Sequence, residues 1–149
     1  MSQYAKHDSQ LVALQVGDSE SYTVTLTNQD IEGFADVIGS HHPIHLSDDF
    51  STPLGPGRLV HGLMLAALVS RAITAFAVRH ELKGVMSATQ SKFVAPVRAG
   101  DTVTLKLTYI GLVPGKPRLR CATEIRNQDG KVVMVGEVEE HIFVDEPVT

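Results

Sequence analysis

The chain has 149 residues, of which 43% are apolar and 20% charged, and carries a formal net charge of −4; this is sequence for one domain (1–149, core about 10–144) with a single core. The acidic balance, with no Lys/Arg cluster and no interleaved aromatics, argues against a nucleic-acid interface. The longest uninterrupted apolar run, Leu63 to Val69, is far shorter than the ~18 residues of a membrane span, and Met1 to Gln10 holds no signal-peptide core. A cytoplasmic protein without membrane contact is expected. Its lone Cys121 lacks an internal disulfide partner and reads as a buried strand thiol.

Ser21 to Thr27 alternates β-formers with polar residues and predicts a half-buried strand. Asn28 is the expected helix cap, followed by Ile31, Phe34, Val37 and Ile38 at helical spacing over Asp30 to Ile38, with Gly39 as the stop. The Ser40 to Gly57 segment contains Pro43, Pro53 and Pro56 among turn formers, so it reads as irregular backbone with one helical turn at Ser47 to Phe50. Long irregular loops in small domains often carry function.

From His61 to Val78 apolar residues cover nearly the whole helical circumference, which predicts a buried helix. Four strands follow, at Val85 to Val94, Thr102 to Ile110, Pro117 to Arg126 and Val132 to Val144. The short turns at Pro96 to Asp101, Pro114 to Lys116 and Asn127 to Gly130 make antiparallel pairing the natural arrangement. The first dozen residues and Asp145 to Thr149 are expected to be loosely held. One apolar helix and several short-looped strands predict an α+β domain, with a curved sheet wrapped around the helix.

Four of the seven histidines, His41, His42, His45 and His61, fall close together in the sequence. His42, His45 and Asp48 or Asp49 could supply some zinc ligands, but their spacing matches no established zinc motif, and no metal is expected. Asp36 and Glu32 share one helical face and read as solvated. The Pro53 to Arg58 stretch lacks phosphate-loop spacing. It reads as a mobile wall of an entrance, with Arg58 a candidate partner for a phosphate or an acidic carrier. Lys116, Arg118 and Arg120 alternate along one strand and face one side, either solvent or the same anionic partner.

The run Phe34-Ala35-Asp36-Val37-Ile38-Gly39-Ser40-His41-His42-Pro43-Ile44-His45-Leu46, then Val60-His61-Gly62-Leu63-Met64, resembles the MaoC-like (R)-specific enoyl-CoA hydratases and dehydratases of the hotdog superfamily. Those proteins show Gly-Asp-x-Asn-Pro-[Ile/Leu]-His-Leu and then [Val/Ile]-His-Gly-[Met/Leu]. The Gln90-Ser91-x-Phe93-x-x-Pro96-Val97-x-x-Gly100-Asp101 run is similar to the family's strand and turn. The resemblance implies a hotdog fold and a homodimer acting on 2-enoyl or 3-hydroxyacyl thioesters. It implies no cofactor beyond the coenzyme A or phosphopantetheine of an acyl carrier protein that carries the substrate.

Hydration of an enoyl thioester develops charge on the carbonyl oxygen, and one preorganised donor there is worth about 2.7–4 kcal/mol. The Gly62 amide at a helix start suits that task. Pro43, His61, Leu63 and Ala67 are the other candidate substrate contacts, with His61 read as a helix-start or packing residue rather than a base. By the resemblance His45 is the principal acid/base, since an imidazole both accepts and donates near neutrality. The family's Asp falls on Ser40, its Asn on His42, and a supporting helix Ser on Ala67. A neutral hydroxyl does not replace a carboxylate base. Three readings remain: His42 and His45 as a two-histidine pair with Ser40 orienting water; a different thioester reaction such as hydrolysis, isomerisation or another conjugate addition; or a non-catalytic acyl-thioester-binding subunit.

Overall fold

The computed structural model describes Leu11 and residues 13–143. Of the ends expected to be loose, residues 1–10, 12 and 145–149 lie outside the described residues, as does Val144 of the expected final strand, whereas Leu11 is buried and packs in the core. The order of elements is β1 (Ser19–Thr25), α1 (Asn28–Ile38), α2 (Pro43–Leu46), β2 (Ser51–Thr52), β3 (Gly55–Pro56), α3 (Gly62–Arg79), β4 (Gly84–Phe93), β5 (Thr102–Leu112), β6 (Arg118–Arg126) and β7 (Val132–Ile142). Five strands form one antiparallel sheet in the order β1-β5-β6-β7-β4, and β2 pairs with β3 alone.

Alternation sets the faces of this sheet. Along β6, Leu119, Cys121, Thr123 and Ile125 are buried, while Arg118, Arg120, Ala122 and Glu124 lie toward the other side. On β5 the buried set is Val103, Leu105, Leu107 and Tyr109. The inner face curls around α3, whose Met64, Leu65, Val69, Ala72, Ile73, Phe76 and Ala77 are buried. Each large side chain so placed contributes about 1.5–3 kcal/mol. By length and composition α3 could cross a bilayer, but here its apolar stripe is matched by the sheet. Burial pushes the Cys121 thiol up to about 12, with Glu140 adding to the effect. It is the buried strand thiol expected.

Four expectations need correction. Helix α1 is capped by Thr27 rather than Asn28: the Thr27 hydroxyl accepts from the Asp30 amide (3.2 Å) and the Asp30 carboxylate accepts from the Thr27 amide (2.8 Å). That reciprocal box fixes two orphan donors at once, and it ends β1 two residues earlier than the alternation suggested. The helical turn expected at Ser47 to Phe50 forms instead at Pro43–Leu46, because Pro43 presets the first helical φ and His42 caps it. Helix α3 is not buried all round: Leu63 is 67% and Val78 72% exposed, and Ala67 lies on the same open stripe. Last, Gly111 at φ 126° takes up a bulge that carries β5 on to Leu112.

Candidate active site

The site is built where the loop after α1 meets the start of α3. Gly39 closes α1 in the left-handed region at φ 69°, as expected, and delivers Ser40 to the mouth of α3. There the His61 ring lies 3.2 Å from the Ser40 carbonyl through Nε2. Five residues after Ser40, the His45 ring lies 2.7 Å from the Leu59 carbonyl through Nδ1. A carbonyl only accepts, so both of these ring nitrogens carry hydrogen, which fixes the two tautomers. In the neutral rings the lone-pair acceptors are then Nε2 of His45 and Nδ1 of His61.

The two imidazoles stack face to face, with centroids 3.6 Å apart and planes 20° apart. Phe34 meets His61 edge-on at 5.3 Å. His61 is 4% exposed and its Nδ1 has no partner. Burial holds its imidazole below the usual histidine range, the His45 charge adds to this, and the bond to Ser40 opposes it. His61 is therefore a neutral, fixed plate against which the half-buried His45 ring is held.

Gly62, the first residue of α3, has an amide with no acceptor inside the helix. It lines an apolar cleft of about 360 Å³ with Leu54, Leu59, Val60, Leu65, Phe93 and residues 94–97. A Cβ at Gly62 would sit 3.2 Å from the Phe93 ring, so the absent side chain leaves room at the amide. The cleft thus joins an amide donor to apolar walls, and His45 stacks on the residue immediately before that donor.

Other candidates go elsewhere. The His42 Nδ1 accepts from the Ile44 amide (3.1 Å) and its ring meets Phe50 edge-on. The structure pairs His45 with His61, where the two-histidine reading paired it with His42. Pro43 is exposed at the start of α2, and Leu63 and Ala67 sit on the open stripe of α3, not among the cleft residues. Arg58 is engaged by Glu32 (2.5 Å) and Asp48 (2.9 Å), so it is not a free cation for a phosphate, and Glu32 is an ion-pair partner rather than only a solvated acid. Asp36 meets His41 at 2.8 Å. On the outer sheet face Arg118 pairs with Glu139 (3.1 Å) and Arg120 with Glu137 (2.5 Å), which neutralises the alternating arginines locally. Among the described residues no three His, Cys, Asp or Glu side chains gather as a metal site.

Sequence reasoning did not single out Arg98 or the Leu59 carbonyl, and took Leu54 only as part of the Pro53 to Arg58 wall. Leu59 acts through its backbone and carries no side-chain signal. Arg98 acts on a loop that is distant in sequence.

Residues 14–129 match the family model described as MaoC like domain. The chain belongs to the MaoC-like family. It is 37% identical over 127 residues to 3-hydroxybutyryl-CoA dehydratase of Methylorubrum extorquens, a match covering 83% of this chain and 78% of that protein. It is 36% identical over 126 residues to (R)-specific enoyl-CoA hydratase of Rhodospirillum rubrum, covering 83% and 85%. Among solved structures, the unliganded R-hydratase PhaJ1 from Pseudomonas aeruginosa superposes with a TM-score of 0.77 at 30% identity, covering 91% of this chain and 86% of that one. The sheet wrapped around α3 is thus a hotdog fold, and His45, His61 and Gly62 lie together at the N-terminal end of α3.

Proposed function

We infer that this MaoC-like protein is a lyase that adds water to 2-enoyl thioesters, or removes it from 3-hydroxyacyl thioesters, carried on coenzyme A or an acyl carrier protein. The observation that carries this reading is the His45 ring, held by Leu59 through Nδ1 so that Nε2 is left out of that bond, and stacked on the residue that precedes the Gly62 amide at an apolar cleft. In hydration, His45 Nε2 takes a proton from water as the water oxygen bonds to the β-carbon. The electron pair of the double bond moves onto the thioester oxygen, where the Gly62 N–H stabilises it. The enolate then collapses and the α-carbon takes the proton from the His45 imidazolium. Dehydration is the reverse. Ser40, gripped through its carbonyl, offers a hydroxyl that orients the water without serving as a base.

Acyl thioesters of coenzyme A fit the names of the two relatives. A second copy of this chain fits the open surface: β4 is an edge strand with Val85, Phe93 and the following Val94 exposed, and Leu63 and Val78 are exposed on α3. We therefore propose a homodimer, to be tested by light scattering after size exclusion.

Purified protein mixed with a 2-enoyl-CoA series tests the activity. Loss of the conjugated enoyl absorbance without release of free thiol is the expected result. Thiol release would mark a thioesterase instead. Neither signal, together with a raised melting temperature on adding saturated acyl-CoA, would mark a binding subunit.

A further inference from the structure

One wall of the cleft is a two-strand hairpin whose turn is wrapped around a single guanidinium. β2 and β3 pair Ser51 with Pro56 and Thr52 with Gly55, and the Thr52 hydroxyl accepts from the Leu54 amide at 3.0 Å. The Arg98 guanidinium donates to the carbonyls of Leu54, Pro56 and Gly57. Gly55 and Gly57 adopt φ of 101° and 95°, conformations that favour glycine, and a Cβ on Gly55 would lie 3.1 Å from Arg98 Nη2. Arg98 is itself anchored: its amide donates to the Asp101 carboxylate (2.8 Å), and it bridges to Leu59 beside the His45 bond. Charge-assisted bonds to three carbonyls make this turn a fixed wall rather than a mobile one. At its tip Leu54, 56% exposed, lines the cleft with Phe93 and Leu65.

We propose that Leu54 and Arg98 determine which acyl chains the enzyme accepts: Leu54 is the side chain that limits acyl length, and Arg98 is the positioning residue that holds it over the cleft. The inference rests on the reading that this cleft takes the acyl group. Without the clamp the hairpin can swing away, and longer chains gain access. With a smaller residue at the tip they gain it with the hairpin in place.

The test compares wild type with Leu54→Ala, Leu54→Phe and Arg98→Gln in two measurements. These are kcat/KM on butenoyl-, octenoyl- and dodecenoyl-CoA, and calorimetric Kd for the saturated acyl-CoAs of the same lengths. The expected result is a rise of at least about tenfold in the octenoyl-over-butenoyl preference for Leu54→Ala and Arg98→Gln, with the opposite shift for Leu54→Phe, in both measurements. Leu54 is largely exposed, so its two variants test the idea even if Arg98→Gln fails to fold. An unchanged length profile in both Leu54 variants would overturn it, as would the absence of acyl-CoA binding by wild type. If the variants shift the Kd profile while wild type hydrates nothing, the lyase reading fails and this inference stands. If wild type hydrates enoyl-CoA and the profiles do not move, the reverse holds.

Discussion

His45 and His61 lie ring on ring, 3.6 Å between centroids, and each is pinned by one main-chain carbonyl, Leu59 for the first and Ser40 for the second. The arrangement ties the loop that follows α1 to the start of α3. Burial, with His45 adding to it, holds the His61 imidazole below the usual histidine range, so the proposed proton traffic falls to His45 alone.

The buried member of the pair makes stability depend on pH. Burial lowers the folded-state pKa of His61 below the ordinary 6.5, so the unfolded chain binds more protons in that region. The stabilising contribution is present above the ordinary value and is lost as pH falls through it toward the folded one. Urea midpoints should decline as pH falls through and below the ordinary 6.5. His61→Phe, which retains an aromatic plate, should decline less; parallel curves would remove His61 as the source.

The Gly62 amide is separable from the Gly62 space. Proline is tolerated at the first helical position and His61, at φ −59° and ψ 132°, already has the backbone a following proline requires. Gly62→Ala and Gly62→Pro both place a Cβ against Phe93, but only the second deletes the N–H. Gly62→Pro should turn over about 10²–10³-fold more slowly than Gly62→Ala. Equal rates would assign the oxyanion to another donor.

Ser40 occupies the place where the resemblance expects an aspartate, and His61 already holds its carbonyl. Ser40→Asp should raise hydration of a short enoyl-CoA by up to about 10²-fold by supplying a charged acceptor for water. No gain would show that a carboxylate at this position does not reach the water.

A raised pKa elsewhere gives the opposite sign. Glu140 on β7 is 5% exposed, and burial holds its carboxyl above the usual 4.5. Its favourable contribution is present below the unfolded value and is lost as pH rises through the folded one. Glu140→Gln should therefore be more stable than wild type near neutrality, with the gap closing in acid; a gap of the same size at every pH would point to packing instead.

Much of the fold was legible because its signals are local and mutually consistent. Alternation located β4 to β7 within about two residues, and Gly39 and the turn at Asn127 closed their elements as expected. The errors arose where two residues could do one job. Thr27 and Asn28 are both good caps, and only the pairing of Thr27 with Asp30 decides between them. At the site, His45 and Gly62 were legible through their motif. The stack was not: His42 lies three positions from His45 and His61 sixteen, yet Pro43 turns His42 into a cap while the chain returns His61 to the ring. Arg98 was illegible for a similar reason, since its bonds are to carbonyls of a loop some forty residues earlier.

The most direct measurement is the rate of enoyl absorbance loss on butenoyl-CoA for wild type and His45→Ala, with folding checked by circular dichroism. The account predicts rapid loss with wild type and a fall of at least about 10²-fold with His45→Ala at unchanged fold. Equal rates for the two proteins would contradict it.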